Sequence, residues 1–73
     1  MTARAILAYV STTRHPADLT REAIAAAVGI SPSRASYHLR ALTLAGELDC
    51  RLMHVAGYRR RVRVWHRQTL VDA

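Results

Sequence analysis

The segment Gly29-Ile30-Ser31-Pro32 constrains the fold of this chain more than any other, because it separates two helical patterns by very few residues. Glycine enters the left-handed region of backbone conformation at low cost, so Gly29 is suited to end a helix. Serine is a preferred N-cap, and proline fits the first helical position, where no amide proton is needed. The segment therefore predicts that one helix ends at Gly29 and that Ser31 caps the next.

Apolar spacing on both sides of this segment supports the two helices. Thr20 is suited to cap the first, with Leu19 and Ile24 at the positions of a hydrophobic staple. The predicted apolar stripe of this helix is Ala23, Ile24, Ala27 and Val28. The predicted buried face of the next helix, which Gly46 ends, is Ala35, Leu39 and Leu42. Two helices joined by a short turn that contains glycine form a helix-turn-helix, placed here at residues 20–45.

The remaining segments predict one earlier helix and a hairpin. Residues 2–12 carry an apolar stripe at helical spacing, formed by Ala3, Ile6, Leu7 and Val10 with Tyr9 beside it. Pro16 opposes continuation of that helix, so we expect Ala17–Leu19 to be a short extended link. After Gly46 the apolar period changes from about 3.6 to about 2, which predicts strands at 47–54 and 60–67 with a turn at Val55–Tyr58. The expected fold class is α+β, three helices followed by a two-stranded β-hairpin, in a single domain of residues 1–73.

The register of the hairpin follows from the requirement that its apolar residues share one face. A three-residue loop at Ala56–Tyr58 would pair Cys50 with Val64 and Leu52 with Val62. We therefore expect Cys50 to be a small buried hydrophobe. The opposite face would then hold Arg51, Arg61, Arg63 and Trp65. For Trp65, a place over the core and a stacking role on the surface both remain open.

The charge of the chain indicates a polyanionic partner. The net charge is +6 and the pI is near 11.1, which fits nucleic acid or an acidic membrane surface. All eleven basic residues are arginine, which suits bidentate contact with phosphate and guanine, although a GC-rich genome explains this composition equally well. No apolar run is long enough to cross a bilayer, so no membrane-spanning segment is expected. Of the two polyanions, the expected partner is double-stranded DNA, with no membrane partner.

Two groups of exposed polar residues are candidates for contact with that partner. The first lies at the start and on the outer side of the third helix: Ser31, Ser33, Arg34, Ser36, Tyr37 and Arg40. An ordinary solvated face is the alternative for this group. The second group lies on the hairpin: Arg59, Arg60, Arg61 and Arg63. These arginines could hold phosphates, or they could protect an exposed strand edge and keep the chain dissolved.

Enzymatic and metal-binding motifs are absent from the sequence. Cys50 is the only cysteine, so no internal disulfide can form. The four histidines show no metal-ligand spacing with each other or with Cys50. No glycine-rich phosphate loop, nucleophile motif or close pair of carboxylates is present. We therefore expect no enzyme activity, no metal and no cofactor.

The sequence from Ser33 to Leu48 resembles the third helix of ArsR-type bacterial repressors, with their Ser-x-His-Leu and Leu-x-x-Ala-Gly pattern. Across nearly the whole chain, three helices followed by a hairpin also resemble the winged helix-turn-helix fold, with the wing at residues 47–67. In that family the third helix enters the major groove of DNA and the wing touches the backbone. The resemblance implies DNA contacts and a helical-face role for His38. The contacts would come from Ser33, Ser36, Tyr37 and Arg40.

The chain also departs from these relatives. ArsR-type repressors have additional dimerisation helices, which do not fit here, and metal-binding cysteine and histidine patterns, which this sequence lacks. In size and architecture the chain resembles the small fimbrial-operon regulators of the PapI/FaeA type. Tyr37 and Trp65 resemble a tyrosine and tryptophan pair of Z-DNA-binding domains. However, Ser33 stands where those domains have asparagine, and the wing lacks their prolines.

These observations lead to one expected function and two alternatives. The expected function is that of a sequence-specific transcriptional regulator that binds double-stranded DNA. A homodimer on the DNA site is expected, and a protein co-regulator is a further candidate partner. Its expected location is the cytoplasm, at the nucleoid if the source is bacterial. The main alternative is a protein-interaction or assembly module on the same scaffold, since fold does not fix function. An RNA-binding winged helix is a third option.

Overall fold

The computed structural model describes residues 2–68, which form three α-helices, one short 3-10 turn and two β-strands. The elements are α1 (Thr2–Thr12), the 3-10 turn (Pro16–Asp18), α2 (Arg21–Val28), α3 (Pro32–Leu44), β1 (Leu48–Met53) and β2 (Val62–Arg67). The predicted order of three helices and a hairpin is confirmed. Residues 69–73, the greater part of the predicted tail, lie outside the described residues.

The ends of α2 and α3 form as the capping residues predict. The Thr20 hydroxyl accepts from the amide of Ala23 at 3.2 Å. The Ser31 hydroxyl accepts from the amide of Arg34 at 3.2 Å. Gly29, with φ of 81°, takes the left-handed conformation between the two helices, where a side chain would be strained. Two caps and one glycine therefore fix where both helices of the helix-turn-helix start and where the first of them stops.

The core lies between the three helices and the base of the hairpin. Ile6, Ile24, Leu39 and Leu48 have completely buried side chains, and they come from α1, α2, α3 and β1. The predicted buried face of α3 is confirmed, because Ala35, Leu39 and Leu42 are all buried. In α2 the prediction was wrong at two positions: Ala25 is buried and Ala27 is exposed. The three helices and β1 thus each contribute a large apolar residue to one shared core.

The link between α1 and α2 is not extended, as the sequence had suggested. Residues Pro16–Asp18 form a 3-10 turn, closed by a bond from the Leu19 amide to the Pro16 carbonyl at 3.0 Å. Proline has the backbone angle that the first position of such a turn needs. The Tyr9 hydroxyl donates to the carbonyl of Asp18 at 2.8 Å, which ties the turn to α1.

The hairpin register differs by one residue from the prediction. Cys50 pairs with Trp65 and Arg51 pairs with Val64. The predicted three-residue loop is wrong, because residues 54–61 connect the strands, although the predicted turn does form, with the Tyr58 amide bonded to the Val55 carbonyl at 3.1 Å. Arg51 therefore lies on the face opposite Arg63 and Trp65.

The register differs because both faces of this hairpin carry a buried residue. Leu48 is 1% exposed and Val64 is 2% exposed, yet the pairing puts them on opposite faces. The backbone of β2 also bridges to Thr20, through a bond from the Trp65 amide to the Leu19 carbonyl at 3.1 Å. This bridge holds β2 against the start of α2. The position of the hairpin therefore depends on a contact with α2 as well as on the pairing of its own strands.

Among residues 2–68, no helix has the length and apolar character needed to cross a membrane.

Candidate nucleic-acid interface

The exposed face of α3, defined here as Ser33, Arg34, Ser36, Tyr37 and Arg40, lies opposite the buried face of that helix. Ser33, Arg34 and Arg40 are exposed, Tyr37 is 72% exposed, and Ser36 is partly buried. Ser33, Tyr37 and Arg40 follow one another at helical spacing on the side away from Leu39. The folded chain therefore displays the polar residues that the sequence had singled out on this helix.

The N-terminal end of α3 adds to this display. Pro32 is its first residue, and no acidic residue occupies its first turn. The free amides at a helix N-terminus carry partial positive charge and suit an anion. Ser31 is exposed here, with its hydroxyl oxygen accepting from the Arg34 amide, as its cap role requires. Further along, the ring of His38 meets the ring of Tyr37 edge-on, with the centroids 5.3 Å apart.

Arg21 connects α2 to the exposed face of α3. Its Nη1 donates to the Ser36 hydroxyl at 3.3 Å, while Nε and Nη2 donate to Glu22 Oε2 at 3.1 and 2.7 Å. The bond to Arg21 holds the pKa of the Glu22 carboxyl below its ordinary value. Sequence reasoning missed Arg21, although an arginine directly after a helix cap in a helix-turn-helix was a usable signal.

The wing arginines, Arg59, Arg60, Arg61 and Arg63, are all exposed. The first three lie in the connection before β2, and Arg63 lies on β2 itself. Within residues 2–68, the ion pairs of arginine are Arg21 with Glu22 and Arg51 with Asp49, so none of the wing arginines is paired with a carboxylate. Unpaired guanidinium groups leave their donors available to an anionic partner.

A groove of about 740 Å³ separates α3 from the wing. We call it the α3–wing groove. Its apolar lining comes from Leu44, Cys50, Tyr58, Val62 and Trp65. Its charged lining comes from Arg21, Glu22, Arg40 and Arg63. The groove thus brings together Arg40 of the third helix and Arg63 of the wing. It also has an apolar surface that was not predicted from the sequence.

Trp65 and Cys50 form a cross-strand pair beside this groove. Trp65 is partly buried and packs against the core, so it serves partly as the core cap that the sequence had left open. The prediction of a buried Cys50 was wrong, because this residue is only partly buried. Desolvation raises the pKa of the Cys50 thiol, and the nearby Arg63 partly offsets that rise. Among the described residues, no cluster of metal-ligating side chains contains Cys50 or any histidine.

Comparison with known proteins gives one match. Residues 1–49 match a family described as a helix-turn-helix domain. No curated protein and no solved structure matches the chain. The ArsR-type resemblance of α3 agrees with this family assignment. The match covers about two thirds of the sequence and includes α1, α2 and α3, while the hairpin that follows gives the winged form of the fold. The chain therefore belongs to a helix-turn-helix domain family, a group of DNA-binding regulators.

Proposed function

We propose that this protein is a sequence-specific transcriptional regulator that binds double-stranded DNA with α3 in the major groove and the wing on the phosphate backbone. Residues 1–73 would act as one winged helix-turn-helix domain. The observation that carries the proposal is the exposed face of α3. It presents Tyr37 and Arg40 at helical spacing, on the side away from the buried face formed by Ala35, Leu39 and Leu42.

The chemistry of α3 suits the reading of bases. An α-helix fits the major groove, where an arginine can fork onto the O6 and N7 acceptors of guanine. Arg40 is exposed, and within residues 2–68 it forms no ion pair that would compete with a contact to DNA. The hydroxyls of Ser33 and Ser36 are short and can donate or accept at a base edge. These side chains would discriminate between sequences.

The chemistry of the wing suits phosphate contact. Arg59, Arg60 and Arg61 are consecutive and exposed, and guanidinium groups bind phosphate in a bidentate manner. Phosphate contacts position a protein on DNA without reading sequence. The net charge of +6 would draw the chain to the duplex from a distance.

The proposed activity is binding, as helix-turn-helix DNA-binding families are typically not enzymes. Sites for such proteins usually consist of paired half-sites, so we propose that two copies bind together. A regulator of this kind acts where the DNA is, in the cytoplasm and, in a bacterium, at the nucleoid.

A second candidate function is protein interaction. Leu44 is 80% exposed at the end of α3, and Leu52 is 60% exposed on the wing. Large exposed apolar residues are common at interfaces, and these two would suit a co-regulator or an assembly partner. The arginines around them still favour a polyanion.

The experiment that tests the proposal begins by selecting bound duplexes from a randomised pool. Fluorescence anisotropy then measures affinity for a selected duplex and for its scrambled version at three salt concentrations. We expect tighter binding to the selected duplex by at least a factor of about 10³, the lower end for specific binders. Equal affinity for both duplexes would contradict sequence-specific binding, and no affinity for either would favour the protein-interaction function.

A further inference from the structure

The α3–wing groove has the size and lining of a small-molecule site. Its volume of about 740 Å³ lies within the range of roughly 300–1,000 Å³ typical of ligand pockets. Trp65, Val62 and Cys50 contribute partly buried apolar surface to it. Phosphates on the arginines would leave this apolar surface without a partner, because a DNA backbone has little apolar surface to offer.

The charged residues around the groove indicate that its ligand is an anion. Arg40 and Arg63 line it, and no ion pair within residues 2–68 involves either of them. Glu22 is the acid in the lining, and it is already held by two hydrogen bonds from Arg21. An aromatic or apolar surface beside free guanidinium groups is complementary to a flat apolar molecule with one anionic group.

We propose that the α3–wing groove binds a small aromatic anion, a molecule with a fused or paired ring system and a carboxylate or sulfonate. The rings lie against Trp65 and Leu44, and the anionic group binds Arg63 and Arg40. Because the proposed DNA interface uses the same two arginines, the ligand and DNA exclude one another. This second part rests on the proposed function, whereas binding of the ligand does not.

The first experiment measures ligand binding without DNA. The probe is 8-anilinonaphthalene-1-sulfonate, and N-phenyl-1-naphthylamine is the control, since it has the same rings without the sulfonate. Trp65 is the only tryptophan, so energy transfer from its emission reports that the probe is bound to the protein, and the variants described next locate the site. We expect saturable binding of the sulfonate with energy transfer from Trp65, and at least about tenfold weaker binding of the uncharged control.

Matched variants separate the groove from the rest of the surface. Arg63→Gln should weaken sulfonate binding about tenfold, while Arg51→Gln, on the opposite face of the hairpin, should not change it. Leu44→Ala, in the groove lining, should weaken both probes severalfold, while Met53→Ala, at an exposed apolar residue on the opposite face of the hairpin, should change neither. Equal effects of the two arginine variants, or of the two apolar variants, would overturn the proposed site.

The second experiment adds DNA to the same preparation. For simple competition, probe at ten times its dissociation constant should raise the apparent Kd for DNA about elevenfold. Probe binding that leaves DNA affinity unchanged would overturn mutual exclusion. Failure of the protein to bind DNA would count against the proposed function, while the first experiment would still report on the groove. If sedimentation shows a dimer that Leu44→Ala dissociates, the groove is a contact between copies and the ligand site is wrong.

Discussion

Arg21 and Ser36 are joined across the helix-turn-helix by a hydrogen bond of 3.3 Å from Nη1 to Oγ. The same guanidinium donates two hydrogen bonds to Glu22 on α2, so its bond to Ser36 is the one that connects it to α3. Both side chains of the Arg21–Glu22 pair are about half exposed. Exposed pairs contribute little to stability, so we interpret this arrangement as one that orients Ser36 and Arg21 for a partner.

Substitution of Ser36 tests this interpretation. Ser36→Ala should change the free energy of unfolding by less than about 1 kcal/mol, since the bond lies at an exposed site. It should weaken binding to the selected duplex more than binding to the scrambled one. Urea denaturation and anisotropy titrations measure the two effects, with Thr12→Ala on α1 as a hydroxyl-removing control. A loss of more than about 2 kcal/mol in stability would mean that the bond is structural.

The two helix caps should contribute differently to stability. Ser31→Ala should cost about 1 kcal/mol, the usual value for an exposed N-cap. Thr20→Ala should cost more, since Thr20 is 2% exposed and its removal also leaves a small cavity. Thr20→Ser keeps the capping oxygen and should recover most of the loss. Urea denaturation measures the loss in the free energy of unfolding for each variant. Equal losses for Ser31→Ala and Thr20→Ala would contradict a larger contribution from the buried Thr20.

The exposed face of α3 and the wing should respond differently to arginine removal. Arg60→Ala and Arg61→Ala should weaken binding on all sequences, each lowering the slope of log affinity against log salt by about 0.9. Arg40→Ala should cost about 1–3 kcal/mol on the selected duplex and little on the scrambled one. Arg4→Ala, on the exposed side of α1, is the matched control.

Comparison of both duplexes decides the assignment of α3. If Arg40→Ala weakens both equally, α3 is not the element that reads sequence. Tyr37→Phe should cost less than Arg40→Ala, because most of the ring remains.

The thiol of Cys50 should be slow to react at neutral pH. Its pKa is raised above the ordinary 9.0, mainly by desolvation, so the reactive thiolate is scarcer in the folded chain than in the unfolded chain. The folded chain therefore holds the thiol proton more tightly than the unfolded chain does. The contribution of this difference to the free energy of unfolding is fully present below the pKa of the unfolded chain, and it is lost as the pH rises through the pKa of the folded chain. Iodoacetamide labelling at pH 8 should therefore be slower for the folded protein than for the protein in urea. Equal rates would contradict the shift.

Assembly on DNA is a separate prediction. Paired half-sites lie about one helical turn apart, roughly 34–36 Å, and residues 2–68 extend 35 Å along their longest axis. Two copies are therefore expected on one operator-length duplex. Sedimentation velocity on the selected duplex measures the stoichiometry, with a half-length duplex as the control. A 1:1 complex on the full duplex would contradict pairing.

Much of the helical part was predictable because its signals are local. Thr20, Gly29, Ser31 and Pro32 act on amides within one turn of themselves, so their effect can be read from sequence. The exposed residues of α3 followed from the same periodicity. The errors at Ala25 and Ala27 reflect a helix packed on two neighbours, α1 and α3, which shifts its buried stripe toward Ala25.

The hairpin was harder to predict because its position depends on distant residues. The bond between Trp65 and Leu19 joins segments far apart in the chain, and no local pattern reveals it. For the same reason Cys50, expected in the core, lines the α3–wing groove instead. The assignment of DNA contacts to named residues stays a prediction until the titrations are done.

Thr20 caps α2 with its side chain and bridges to β2 with its backbone. One residue therefore sets both where the helix-turn-helix begins and where the wing stands. Insertions in residues 13–19 would move these two features together and disturb the core. Apart from Val55, which is buried in the core, the connection at 54–61 is exposed, so its other residues can be changed with less effect on the core. Substitutions in this connection can therefore change how the wing contacts a partner, while the distance between the wing and the third helix is preserved.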